Sequence, residues 1–149
     1  MFVCHGNICR STMAEFMLKD MVGKLGLSDQ FCIASSATSR EEIGNGIHPG
    51  TKAKLREQGI AFANHRAIQL RSSDYDSYDL LLGMDENNKR NMLRIFCSDP
   101  QEKIHRLLDY TPSPRDIADP WYTENFEATF KDIRQGCLGL LDYLASKNR

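Results

Sequence analysis

The 149-residue chain is 41% hydrophobic and 26% charged, a balance that fits one folded domain and excludes a disordered segment. Its formal net charge of −1 leaves no basic footprint for nucleic acid or an anionic membrane, and no apolar run approaches a membrane span. The five cysteines lack metal-ligand spacing and read as reduced thiols of a cytoplasmic protein.

Met1-Phe2-Val3 reads as the stub of a buried strand, very short and expected to support a sheet only weakly. The string Cys4-His5-Gly6-Asn7-Ile8-Cys9-Arg10-Ser11 comes next. From Thr12 to Leu25 the pattern is helical, with Ala14, Met17, Leu18, Met21 and Leu25 on one face. Ser11 or Thr12 is expected to cap this helix, Thr12 standing at capping-box spacing from Glu15, and Gly26 to end it. A second strand is expected over residues 31–34, passing into the polar stretch Ser35-Ser36-Ala37-Thr38-Ser39. After a loop marked by Gly44, Asn45, Gly46 and Pro49, a helix is expected from about Gly50 to Gln58. His65 lies in the polar linker that follows, and residues 72–77 read as a turn or one helical turn.

Tyr78 to Met84 carries an apolar run that predicts a strand buried on both faces, as in a parallel sheet. Asp85 then caps a helix to Phe96, with Met92, Leu93 and Phe96 inward. A fourth strand is expected over residues 104–108 and a proline-rich loop over residues 109–123. The last helix runs from about Glu124 to Ala145, with a stripe of Phe126, Phe130, Ile133, Cys137, Leu140, Leu141 and Leu144. Four alternations of strand and helix predict a doubly wound α/β fold, a four-stranded parallel sheet with helices on both faces, as one domain over residues 1–149. Ligands of such sheets sit at the carboxyl ends of the strands, where the first string, Ser35–Ser39, Asp85 and the Asp119 loop should gather.

The first string has the chemistry of an anion cradle. A cysteine thiolate is a nucleophile, and a glycine-containing loop opening a helix supplies backbone N–H groups and a helix N-terminus, both of which favour negative charge. Arg10 adds a planar fork suited to two oxygens of a phosphoryl group, and is expected on the rim. Ser11 can donate to the sulfur, Asn7 can pin the loop, and Gly6 permits a tight turn.

Val3-Cys4-His5-Gly6-Asn7-Ile8-Cys9-Arg10-Ser11-Thr12 resembles the V-C-x-G-N-x-C-R-S-P signature of the low-molecular-weight protein tyrosine phosphatases. Ser35–Ser39, Met84-Asp85-Glu86 and Asp119-Pro120-Trp121-Tyr122 extend the likeness over nearly the whole chain. The resemblance implies a flavodoxin-like three-layer sandwich and metal-independent hydrolysis of phosphotyrosine with no cofactor. In that scheme Cys4 attacks phosphorus, Arg10 and the loop of His5, Gly6, Asn7, Ile8, Cys9 and Ser11 bind the phosphoryl group, and Asp119 is acid and then base. Trp121 and Tyr122 would wall the entrance, Ser35 and His65 would hold Asn7, and Asp85 would order the loops. In the family the position of Cys9 can form a reversible disulfide with the nucleophile. The implied partner is a phosphotyrosine protein, with no nucleic acid and no membrane, and the implied state is a monomer or weak homodimer.

Three departures stand out: Thr12 replaces a proline, Glu41 lies where some relatives have a second aromatic wall residue, and the first strand is short. Two rival activities share the fold. A thiol-dependent arsenate reductase needs resolving cysteines, for which only Cys97 and Cys137 come late in the chain. Protein arginine phosphatases of the family tend to carry threonine where this chain has Ile8. A non-catalytic phosphotyrosine-binding module would not need both Cys4 and Asp119.

Overall fold

The computed structural model, which describes residues 1–147, places four parallel strands in the order β2-β1-β3-β4. They are β1 Phe2–Cys4, β2 Ser35–Ala37, β3 Leu81–Gly83 and β4 Ile104–Arg106. The helices are α1 Arg10–Lys24, α2 Pro49–Glu57, α3 Asp74–Ser77, α4 Glu86–Phe96, α5 Pro120–Thr123 and α6 Phe126–Lys147. The last two residues of the expected 1–149 domain lie outside the described part.

Successive side chains on a strand point to opposite faces, and the core divides accordingly. Phe2, Cys4, Leu82 and Met84 pack with Met13 and Met17 of α1, Leu55 of α2 and Phe130, Ile133 and Cys137 of α6. Val3, Leu81 and Ile104 pack on the other side with Tyr75 of α3 and Met92 of α4. This is the expected three-layer α/β sandwich. No helix among the described residues is long and apolar enough to cross a membrane.

The shortness of β1 is shared by its partners, since all four strands are three residues long. It is central and paired on both sides, Val3 lying opposite Ser36 in β2 and Gly83 in β3. The first strand is thus no shorter than its partners.

The second strand falls on Ser35–Ala37 rather than on the apolar residues 31–34. Serine hydroxyls tolerate burial when they are hydrogen-bonded. Ser35 Oγ donates to Glu15 at 2.5 Å and accepts from Asn7 at 2.9 Å, and Ser36 Oγ bonds Met1 Sδ at 3.2 Å. The start of α1 also differs. Cys9 is the residue before the first turn and no side chain caps it. Thr12 Oγ1 donates back to the carbonyls of Ile8 and Cys9, both at 3.0 Å, while Glu15 accepts from Ser35 and Lys19, so the capping box does not form. Leu25 and Leu93, expected inward, are 61% and 37% exposed.

The Asp85 cap is as expected, with Asp85 Oδ1 accepting from Asn88 N at 2.7 Å. The expected loop over residues 109–123 contains the end of a 3₁₀ turn, Leu107–Tyr110, and the one-turn helix α5. The last helix begins at Phe126, two residues later than expected, because Glu124 is left-handed (φ 60°) and Asn125 Oδ1 accepts from Ala128 N at 3.0 Å.

Candidate active site

β1 ends at Cys4 and α1 begins at Arg10, so the five residues between them wrap the carboxyl end of the central strand. Neighbouring segments clamp this loop by its backbone: Thr38 N donates to Cys4 O (3.0 Å), Ser39 N to His5 O (3.1 Å) and His48 N to Ile8 O (2.9 Å). The loop turns at Asn7, whose φ of 62° is left-handed. Asparagine tolerates that region better than most residues.

Four hydrogen bonds fix the Asn7 side chain. Nδ2 donates to Ser11 Oγ (2.8 Å) and Ser35 Oγ (2.9 Å), while Oδ1 accepts from Ile68 N (3.2 Å) and faces His65 Nε2 at 2.9 Å. Because Oδ1 only accepts, the proton of this pair sits on His65 Nε2. The other ring nitrogen lies 3.9 Å from Glu15. Burial disfavours the charged form of His65, and Glu15 works the other way.

Cys4 Sγ is 3.1 Å from Ser11 Oγ and accepts from Asn7 N at 3.3 Å. It opens onto a pocket of ≈ 470 Å³, counting its mouth, lined also by His5, Gly6, Ile8, Cys9, Asp119, Trp121 and Tyr122. Burial, with Cys4 adding to it, pushes the Cys9 thiol up to about 12. Cys9 is therefore held as the neutral thiol around neutral pH. Alkylation by iodoacetate at pH 8, read by peptide mass mapping, is expected to leave Cys9 unmodified.

Arg10 differs from its expected place on the rim. It is 2% exposed and lies beneath the cradle. Nη1 donates to Asp85 Oδ2 (2.7 Å) and to the Ile117 carbonyl (2.8 Å), and Nη2 donates to Asp119 Oδ2 (3.4 Å). Burial works against the charge, but Cys4, Asp85 and Asp119 outweigh it and hold the guanidinium above its ordinary value. Asp119 Oδ1 accepts from Trp121 N at 3.0 Å, so α5 carries the carboxylate and the aromatic wall as one piece.

Of the residues expected to touch substrate, Asn7 and Ser11 are fully buried and brace the loop from behind. Ser35, His65 and Asp85 lie in that same supporting layer. Four contributors were not anticipated: Glu15, taken for a cap partner; Glu42 on the pocket wall; the Ile117 carbonyl; and His48. The His48 ring stacks on Phe126 at 5.2 Å and meets Trp121 edge-on at 5.7 Å. No sequence pattern marks a backbone carbonyl or a ring contact across loops. Cys97 closes α4, Cys137 is in the α6 core, and neither lines the pocket.

A thiol at the end of a strand, in a loop that leads into a helix, with a buried guanidinium and a carboxylate nearby, makes a site for a phosphate-like oxyanion. The whole chain, residues 1–149, matches the family model described as low molecular weight phosphotyrosine protein phosphatase, and the chain belongs to that family. It is 38% identical over 143 residues to the low molecular weight protein-tyrosine-phosphatase YfkJ of Bacillus subtilis, covering 95% of this chain and 92% of that one. The crystal structure of YfkJ superposes with a TM-score of 0.95, at 37% identity, over 99% of this chain and 94% of that chain. The low molecular weight phosphotyrosine protein phosphatase of Sus scrofa is 35% identical over 147 residues, with 95% and 92% covered. A Drosophila arginine phosphatase shares the fold at 27% identity and a TM-score of 0.85, over 96% of this chain and 95% of that chain.

Proposed function

We propose that this chain hydrolyses phosphotyrosine and small aryl phosphates in two steps through Cys4. The carrying observation is that Cys4, with Asn7 N and Ser11 Oγ at its sulfur, opens onto the same pocket as Asp119 and Trp121. In the first step Cys4 Sγ attacks phosphorus while the bond to the phenolic oxygen breaks, and Asp119 gives that oxygen its proton. In the second, Asp119 takes a proton from water, the water oxygen attacks phosphorus, and the sulfur leaves as thiolate. Asn7 Nδ2 already donates to Ser11 Oγ, so the Ser11 proton is free to turn to that sulfur. Arg10 fixes Asp85, Ile117 and Asp119 around the cradle and supplies its positive charge.

Trp121 and Tyr122, 53% and 80% exposed, stand at the mouth as a surface for a phenyl ring. The reading extends to a single domain acting in the cytoplasm on a phosphotyrosine protein, as a monomer or weak homodimer. Ile8, rather than a small polar residue, on the pocket wall favours the aryl ester over phosphoarginine.

The test is turnover of p-nitrophenyl phosphate in chelator by wild type and Cys4→Ser, with phosphoarginine and with arsenate plus thioredoxin in parallel. Loss of turnover in Cys4→Ser is expected, and equal rates in both proteins would sink the mechanism. His48→Ala should loosen Trp121. An aromatic contact of this kind is worth about 0.5–1.5 kcal/mol, so KM is expected to rise roughly two- to tenfold with a smaller change in kcat. A drop in kcat at constant KM would assign His48 another role.

A further inference from the structure

We infer that Glu41 and Glu42 make the pocket select phosphotyrosines that stand beside a positively charged side chain. The inference rests on the phosphotyrosine reading above and concerns the mouth of the same site. Besides Asp119, the wall carries these two carboxylates, and among the described residues no lysine or arginine lines it. Glu42 lies close against the cradle: its Cγ is 3.2 Å from where a Cβ on Gly6 would stand, and its Oε2 accepts from Asn45 at 2.6 Å. Glu41 is turned outward, with a side chain 69% exposed, and meets His5 Nε2 at 2.9 Å.

Among the described residues, neither Glu41 nor Glu42 is ion-paired with a lysine or arginine. Arg10 is buried and bonded to Asp85, Ile117 and Asp119. Arg40 Nε donates to Gln69 at 3.2 Å, and Arg66 donates to the Gly44 carbonyl at 3.1 Å. His5, on the wall itself, carries no permanent charge. A phosphate dianion therefore crosses an acidic rim before it reaches the cradle. A lysine or arginine close to the phosphotyrosine offsets that repulsion by pairing with Glu41, and an acidic neighbour adds to it. One exposed pair corresponds to about a two- to fivefold effect on kcat/KM.

The experiment uses two phosphotyrosine peptides that differ only in lysine or glutamate beside the phosphotyrosine. They are assayed with wild type, Glu41→Gln and the Glu41→Gln/Glu42→Gln double variant. The wild-type ratio of kcat/KM, lysine peptide over glutamate peptide, is expected at roughly five to twenty at low ionic strength. It should fall toward unity in the double variant and at high salt, where exposed charges are screened. Because the ratio is taken within one protein, partial misfolding of a variant cancels. Equal wild-type rates on the two peptides would overturn the inference while leaving phosphotyrosine hydrolysis standing. A ratio unchanged in the double variant would also overturn it. Failure to hydrolyse either peptide would remove the underlying reading and this inference together.

Discussion

Arg10→Lys is expected to lower kcat on p-nitrophenyl phosphate by roughly a hundred- to a thousandfold, the range for losing a preorganised charge-stabilising donor. The reason is geometric. One guanidinium reaches Asp85, the Ile117 carbonyl and Asp119 at the same time, with two nitrogens in one plane. An ammonium is a point charge on a flexible stem and cannot hold that fork. It would keep the charge beneath the cradle but release the segment that carries Asp119. Arg10→Ala goes further, because Asp85 would face a buried gap; breaking a buried pair costs about 3–5 kcal/mol. Urea unfolding should show that loss for the alanine variant and less for the lysine one. A lysine enzyme within tenfold of wild type would show that the fork is dispensable.

Gly139→Ala carries the second large effect, on stability. In an exposed helix interior, alanine is better than glycine by about 1 kcal/mol. At Gly139 that gain is overruled, because an added Cβ would stand 2.2 Å from the Tyr110 carbonyl oxygen and 3.0 Å from its carbon. Backbone cannot swing aside as a side-chain tip can. One turn earlier, a Cβ on Gly136 would stand 2.4 Å from Leu107 Cγ. The two glycines let α6 lie directly on the 3₁₀ turn that leads into the proline-rich segment. Overpacking of this kind costs about 1–3 kcal/mol, so Tm should fall by roughly 3–10 °C. Gly23→Ala near the end of α1 is the control. There the nearest atom is Ser28 Oγ at 3.6 Å, an ordinary contact, and Tm should hold or rise. If both variants melt alike, close packing is not what Gly139 provides.

The layer order and most helices were legible from periodicity, because a parallel sheet buried on both faces leaves strong apolar runs such as Leu80-Leu81-Leu82. The cradle was legible because its residues are contiguous. Much of what escaped shares one trait: partners far apart in sequence decide it. Ser35 and Ser36 read as a polar stretch beyond the second strand, yet Asn7 and Glu15 satisfy Ser35 and allow a buried strand there. Thr12 looked like a cap because Glu15 stood at the right spacing, but Ser35 and Lys19 take that carboxylate. Arg10 was expected at the rim because its three acceptors come from residues 85, 117 and 119, which only the fold assembles.

The left-handed turn at Asn7 has a thermodynamic consequence for ligand binding. Four bonds from Ser11, Ser35, His65 and Ile68 hold the side chain of a residue that would rarely choose that backbone alone. The conformational entropy of shaping the cradle is thus lost during folding and not when an oxyanion arrives. Inorganic phosphate should accordingly bind with little further ordering, and its affinity should track the electrostatics of the site. In Asn7→Gly the same backbone angle stays accessible but the four bonds vanish, so there anion capture and loop ordering become a single event with a larger entropic penalty.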